Sequence, residues 1–295
     1  MTDEIVIAQA LNGQVRIHAA RSTKMVEDAR MAHHLMPTSL AALGRVMTVT
    51  SVLASDLKKG DEKITSIING HGPSGTILVQ AKGNGDVRGF IGDPNLYMVK
   101  EDGHLDVGGA VGTNGSLTVI KDLGLKEPFT GVVDLQTGEI GDDFTYYYAI
   151  SEQTPSMVGV GVLVSPDGTT KAAGGLIFQL MPGASEETIA ACEKVAGTMK
   201  PVSTLIDEGH AVDEIIHMYF PDAQILEHRD IRWRCDCSRE RFHNALMTLS
   251  EEDLHEMIED GKGAEIVCQY CNTKYQFATA DLEEILEQKH DVLHR

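Results

Sequence analysis

Apolar positions change their period three times along the chain. From Glu4 to Ala19, two alternating runs flank Asn12-Gly13, a pair that tolerates positive φ, which predicts a β-hairpin. A helical pattern follows from about Thr23 to His34. Pro37 separates it from a second helix that starts after Thr38 and runs to about Lys58. From Lys63 to Leu180 the reading is of strands punctuated by glycine: Lys63–Asn69, Thr76–Ala81, Asp86–Ile91, Ser116–Lys121, Thr130–Leu135, Asp143–Ile150, Met157–Val164 and Ala172–Leu180. Connections as short as N-G-D, P-D-G and Q-T-G-E favour antiparallel meanders over βαβ units.

Beyond Met181-Pro182-Gly183 the period becomes helical again. Ser185 can cap a helix carrying Ile189, Cys192, Ala196 and Met199 on one face, and a short helix ends near Gly209. Val212, Ile215, Ile216, Tyr219 and Phe220 follow at i, i+3, i+4, i+7 and i+8. Helices this short cannot bury an apolar face by themselves and must dock on another element. In the tail, Ser238 can cap a helix with Phe242, Ala245, Leu246 and Leu249 inside. Ser250 and Asp253 form a capping box, Gly261 closes that second helix, and Thr279 opens a last one. The fold class expected is α+β: a large domain of antiparallel sheets with helices (1–181), a helical linker (182–231) and a small C-terminal zinc-binding domain (232–295).

Cysteine placement changes the picture most. Four of the five cysteines form a C-x-C pair, Cys235 and Cys237, and a C-x-x-C pair, Cys268 and Cys271. Two close pairs separated by one small unit suit a tetrahedral zinc site. Two structural disulfides or inert buried thiols are the alternatives. The start M-T-D-E-I-V-I-A has neither the basic flank nor the apolar core of a secretory leader. An intracellular, cytoplasmic setting is therefore expected, where paired cysteines more often serve metal or redox chemistry. Cys192 stands alone and reads as a half-buried helix position. His33 and His34 point about 100° apart on a helix and read as surface or packing residues.

Charge narrows the partners. The chain carries 25 Lys and Arg against 44 Asp and Glu, a net −19, which repels phosphate backbones and argues against a nucleic-acid module. The weakly charged stretch from Pro37 to Ser55 contains Arg45 and many Ser and Thr, so it reads as a buried helix and not a membrane span. The glycine runs 83–89 and 108–115 lead into strands and read as hairpin turns; no phosphate loop and no nucleotide are expected. A zinc hydrolase needs an open coordination position, which four cysteines would fill. A thiol oxidoreductase usually sets its C-x-x-C at a helix start, whereas Cys268 and Cys271 fall between two strands. Arg232, Arg234, Arg239 and Arg241 form a basic island around the first pair, either screening the sulfur charge or merely solvated.

The cysteine arrangement resembles that of the redox-regulated 33 kDa heat-shock chaperonin family, ATP-independent bacterial holdases. So do P-T-S-L-A-A-L-G-R (37–45), A-V-G-T-N-G-S-L (110–117), G-D-D-F-T-Y-Y-Y (141–148), S-E-Q-T-P-S (151–156) and A-A-G-G-L-I-F-Q-L-M-P-G (172–183). The resemblance spans nearly the whole chain. It implies a non-enzymatic chaperone that is inactive when reduced and bound to one Zn²⁺. Peroxide or hypochlorite, helped by heat, would close Cys235–Cys237 and Cys268–Cys271, release zinc, unfold the linker and give a homodimer that binds unfolding client proteins. Ile189, Met199, Val212, Ile215, Ile216, Tyr219 and Phe220 are the expected client-binding linker face. The sequence also suggests an order. Extended C-x-C places its Cα atoms roughly 6.6–7.2 Å apart, at the limit for a disulfide, so the turn-borne Cys268–Cys271 should close first.

Overall fold

A computed structural model describes residues 2–293, in two compact units, 1–234 and 235–295. In chain order the first unit runs β1 (Glu4–Ala10), β2 (Val15–Arg21), α1 (Thr23–His33), α2 (Pro37–Ala54), β3 (Lys63–Asn69), β4 (Ile77–Lys82), β5 (Asp86–Ile91), α3 (Val107–Val111), β6 (Ser116–Asp122) and β7 (Phe129–Asp134). It continues with α4 (Gly141–Ile150), β8 (Ser156–Val164), β9 (Thr170–Leu180), α5 (Glu186–Thr198), α6 (Val202–Asp207), α7 (Val212–Tyr219), β10 (Gln224–Asp230) and β11 (Arg232–Trp233). The second unit holds α8 (Arg239–Leu246), α9 (Glu251–Glu259), β12 (Ala264–Val267), β13 (Lys274–Phe277) and α10 (Thr279–Leu293). The fold is α+β, with a sheet domain, a helical region and a C-terminal cysteine cluster.

Among the described residues of the first unit, one sheet has the order β10-β1-β2-β9-β8 and the other β11-β5-β4-β3-β6-β7. Neighbours are antiparallel except β11, which runs parallel to β5. Helix α2 lies against both sheets, and every residue of it except Pro37 and Arg45 is buried. Its hydroxyls are satisfied internally: Ser22 Oγ sits 2.7 Å from Thr48 Oγ1, and Thr50 donates to Ser66 at 2.8 Å. At Gly44 a Cβ would meet Val26 at 2.8 Å and Val162 at 3.0 Å, so only glycine lets α1 and β8 pack this close.

Burial patterns report which sheet faces are covered. Strand β3 alternates regularly, with Ile64, Ser66 and Ile68 inward, as expected of a sheet covered on one side. By contrast β9 is buried without interruption from Ala172 to Phe178. The five-stranded sheet has α2 on one face and α5–α7 on the other. That second core joins Val6, Ile17, Leu176 and Phe178 to Cys192, Leu205, Ile216 and Phe220.

Several expectations need correction. Residues 143–150 form helix, not strand: the aromatics at Phe144, Tyr147 and Tyr148 repeat at i, i+3 and i+4, and all three are buried. The buried Asp143 carboxylate decides it, accepting the backbone N–H of Gln136 (2.7 Å), Thr137 (3.1 Å) and Ile140 (3.0 Å). It thereby fixes the sharp turn at Ile140, where φ is +71°. The run 108–115 is not a plain turn but begins inside α3, which the Asp106 carboxylate caps at Gly109 N. Pro37 is the first residue of α2 and not a spacer before it, because its missing N–H is unneeded there. On α5 the inward residues are Thr188, Cys192 and Val195, followed by Met199 just past its end; Ala196 is exposed and Ile189 half-buried, while Cys192 is buried. His33 is buried and its Nε2 lies 3.0 Å from the Gly89 carbonyl, a packing role. Among the described residues no helix is long and apolar enough to cross a membrane.

Candidate metal centre

The second unit is small. Its core is Leu246, Leu254, Phe277, Leu282 and Ile285, with a rim of half-buried apolar residues. Ser238 caps α8 by accepting from Arg241 N at 3.2 Å, which fixes the end of the extended segment bearing Cys235 and Cys237. Asp253 and Ser250 form the capping box that starts α9, and Gly261, at φ +68°, follows its end. Strands β12 and β13 pair in register from Ala264↔Phe277 to Val267↔Lys274. Between them the chain makes a knuckle: Cys268 O accepts from Cys271 N at 3.2 Å and Asn272 N at 2.7 Å, while Cys268 N donates to Thr273 O at 2.9 Å. That turn points both sulfurs of the second pair the same way.

All five cysteines are free thiols. The Sγ atoms of Cys235, Cys237, Cys268 and Cys271 lie within 4.8 Å of one another, a cluster capable of coordinating a metal ion. Cys235 Sγ is 3.8 Å from Cys268 Sγ, and Cys237 Sγ is 3.4 Å from Cys271 Sγ. A tetrahedron with Zn–S arms of about 2.3 Å has S···S edges of about 3.8 Å, so the separations fit that ion. They are far beyond the ~2.05 Å of a disulfide bond. Cys268 is buried and the other three are half-buried.

Neighbouring hydroxyls lie within hydrogen-bond distance of two of the sulfurs. The Tyr275 hydroxyl lies 3.2 Å from Cys237 Sγ, and the Thr273 hydroxyl 3.2 Å from Cys271 Sγ. The Tyr275 ring packs on Phe242 with centroids 4.9 Å apart. Burial pushes the Cys237 and Cys268 thiols up. At Cys271 the same burial is outweighed by hydrogen bonds from Thr273, which hold the thiol down at about 7. Facing Cys237, the Tyr275 phenol is pushed up to about 12 and stays a donor. Sulfurs this close cannot all ionise unless a cation lies among them, so the donor chemistry fits a bound divalent ion.

The sequence reading located all four cysteines but not Tyr275 or Thr273. Their signal was weak: two hydroxyl residues, two and four places after Cys271, in N-T-K-Y. Three arginines of the basic island pair with carboxylates and not with the sulfurs. Arg239 pairs with Asp281 at 2.8 Å and stacks over Phe277, Arg241 pairs with Asp236 at 2.8 Å, and Arg232 pairs with Asp86 at 2.7 Å.

Comparison with known proteins gives a consistent answer. Residues 3–278 match the family model described as Hsp33 protein. The 33 kDa chaperonin of Staphylococcus carnosus (strain TM300) is 46% identical over 289 residues, covering 97% of this chain and 98% of that protein. The 33 kDa chaperonin of Staphylococcus aureus (strain JH9) is 46% identical over 288 residues, with the same shares covered. The crystal structure of the 33 kDa chaperonin from Thermotoga maritima superposes with a TM-score of 0.91 at 35% identity, covering 99% of this chain and all of that one. With four clustered thiols in a C-terminal unit that follows the sheet-bearing one in sequence, and matches that span the chain, this protein belongs to the Hsp33 family.

Proposed function

We propose that the chain is a redox-regulated, ATP-independent holdase of the cytoplasm, and not an enzyme. The observation that carries the reading is the convergence of four thiols in a unit whose own core is five buried side chains. So small a core supplies about 3–5 kcal/mol at most. Structural zinc in small modules contributes an apparent ~10–16 kcal/mol at neutral pH. Cys235, Cys237, Cys268 and Cys271 would hold one Zn²⁺, which when bound keeps the four sulfurs as thiolates and ties the segment before α8 to the β12–β13 knuckle.

Oxidation removes these ligands. As each disulfide forms, its two thiols give up two electrons and two protons, which one peroxide accepts to leave two waters. In the folded unit close S···S approaches of 3.4 and 3.8 Å also cross between the pairs. Once the unit loosens, loop closure favours sequence neighbours, so the products are Cys268–Cys271 and Cys235–Cys237. Thiols consumed as disulfides are no longer ligands, and metal is set free.

The helical region is linked to the cysteines along the chain. Arg234 N donates to Val87 O at 2.9 Å, and its next residue is Cys235. Strand β10, pairing with β1, leads back to α7. Loss of order after Arg234 would weaken the β11–β5 and β10–β1 pairings and then the docking of α5–α7. Met199, Val212, Ile215, Ile216, Tyr219 and Phe220, with half-buried Ile189 and the sheet beneath, would then be open to unfolding client proteins and to a second subunit.

The test is suppression of aggregation of a heat-unfolding protein without nucleotide, before and after peroxide, with released zinc counted in parallel. Suppression after oxidation, with one zinc released per chain, supports the reading. Equal suppression before and after, or none, overturns it.

A further inference from the structure

Among the described residues the two sheets of the first unit end in four edge strands, and three of these are closed to further pairing. Strand β10 carries Glu227, His228, Arg229 and Asp230, charges that discourage an added strand. Strand β11 is only two residues long, and β8 is covered by α4, whose Thr145 Oγ1 accepts from Val158 N at 3.1 Å. Strand β7, F-T-G-V-V-D, differs. No charge or proline interrupts it from Phe129 to Val133, and Phe129 and Val132 are 57% and 59% exposed.

Pairing with β6 decides which backbone groups of β7 face outward. Leu135 N donates to Gly115 O at 3.0 Å, so the alternation of an antiparallel ladder turns Val133, Gly131 and Phe129 toward β6. Thr130 and Val132 therefore aim their N–H and C=O groups away from the sheet, and neither N–H has an acceptor among the described residues. Pro128 has no N–H to offer but presents a carbonyl on the same side. At the far end the edge is closed, because the Gln136 side chain donates to Asp134 O at 3.0 Å.

We infer that β7 pairs antiparallel with β7 of a second copy of this chain, about a two-fold axis at Thr130. Thr130 of each copy then exchanges N–H···O=C bonds with Thr130 of the other, and Val132 N of each donates to Pro128 O of the other. Phe129 stands opposite Gly131 in a closely spaced pair, where an aromatic ring covers the gap that a glycine leaves. A shallow groove of ≈ 400 Å³, with Gly131, Tyr147 and Ser151 among its walls, receives that ring. Lys126 comes beside Asp134 of the other copy; both are exposed, and neither is in an ion pair among the described residues. Centring the axis on Gly131 or Val132 sets glycine against glycine or Asp134 against Thr130, and either loses the ring contact and the charge match.

A six-residue strand is about 20 Å long, and an edge contact of that length falls short of the ~1,200 Å² of a stable interface. The pairing is therefore weak in the reduced chain, and release of α5–α7 supplies the further area that makes a dimer persist. For that second step the inference rests on the proposed oxidation-driven reading, to which it adds the symmetric contact.

Sedimentation velocity of the full chain, loaded with zinc and again after peroxide, tests it over a range of concentrations. Thr130→Lys or Thr130→Glu sets like charges across the axis and should weaken dimerisation about tenfold, while an equimolar mixture of the two should restore it as a heterodimer. Lys126→Glu should also weaken it, and adding Asp134→Lys to that variant should recover it. Restoration in the mixture cannot come from misfolded chains, and amide protection of β3 and β6 checks each variant alone. Dimers of T130K as tight as those of the unmutated chain, or a mixture no tighter than either variant, would overturn the β7 contact and leave an oxidised dimer built elsewhere. Dimers that depend on Thr130 and are equally tight before peroxide would keep the contact and remove oxidation as its trigger. No dimer in either state overturns both.

Discussion

The Tyr275 hydroxyl stands 3.2 Å from Cys237 Sγ, placed there by its ring packing on Phe242. A phenol that donates to a ligating sulfur steadies the thiolate and orients it. Tyr275→Phe keeps the packing and removes the donor. Zinc affinity should fall roughly tenfold, within the usual range for such partners. Competition with a chromogenic chelator measures it; unchanged affinity would show that the hydroxyl is a bystander.

Metal removal should dissolve the tail and spare the sheets. In the reduced chain, chelation or Cys268→Ser should abolish amide protection across 235–293 while α2 and β3 stay protected. Hydrogen exchange resolved by mass spectrometry reads both units at once. Persistent protection of β12 and β13 after chelation, with thiols still reduced, would remove the cause of the switch.

The proposed order of oxidation rests on backbone geometry. Cys268 and Cys271 already sit on a closed turn, with Cys271 N donating to Cys268 O, whereas Cys235 and Cys237 lie on an irregular segment between β11 and α8. Mass mapping after sub-stoichiometric peroxide should find Cys268–Cys271 before Cys235–Cys237. An early C-x-C bridge would contradict this order.

Docking of the helical region can be weakened without touching a thiol. Phe220 is 2% exposed and meets Phe178 edge-on, with centroids 5.4 Å apart. Phe220→Ala should cost about 3–5 kcal/mol at that contact. Amide exchange in α5–α7 should quicken, and apolar-dye fluorescence should rise in the reduced chain. Unchanged exchange would mean that other contacts hold these helices.

Acid should unfasten the start of α4 from α2. Burial alone would raise the Glu139 carboxyl, but hydrogen bonds from Lys100 (2.6 Å) and Arg45 (2.8 Å) outweigh it and hold the carboxyl below its ordinary value of 4.5. A folded pKa below the unfolded one stabilises above about pH 4.5, and that contribution is lost as pH falls through the folded value. Glu139→Gln should therefore cost about 1–2 kcal/mol at pH 7, and the difference from the unmutated chain should shrink below pH 4. Urea unfolding at the two pH values checks it; a gap that widens in acid would reverse the assignment.

The pattern along the chain was enough to place most strands, the capped helices and the four metal-binding candidates. These features are set by neighbours: alternation, caps at Ser185, Ser238 and Ser250, and cysteines two or three residues apart. Residues 143–150 show where local information ended. Tyrosine-rich segments favour strands locally, and the helix formed because Asp143 gathers backbone donors from a loop folded back onto it. Tertiary structure alone decided that β9 would be covered on both faces and that Tyr275 would meet Cys237. Each depends on elements distant in sequence arriving at one point, and period and propensity carry no record of such meetings.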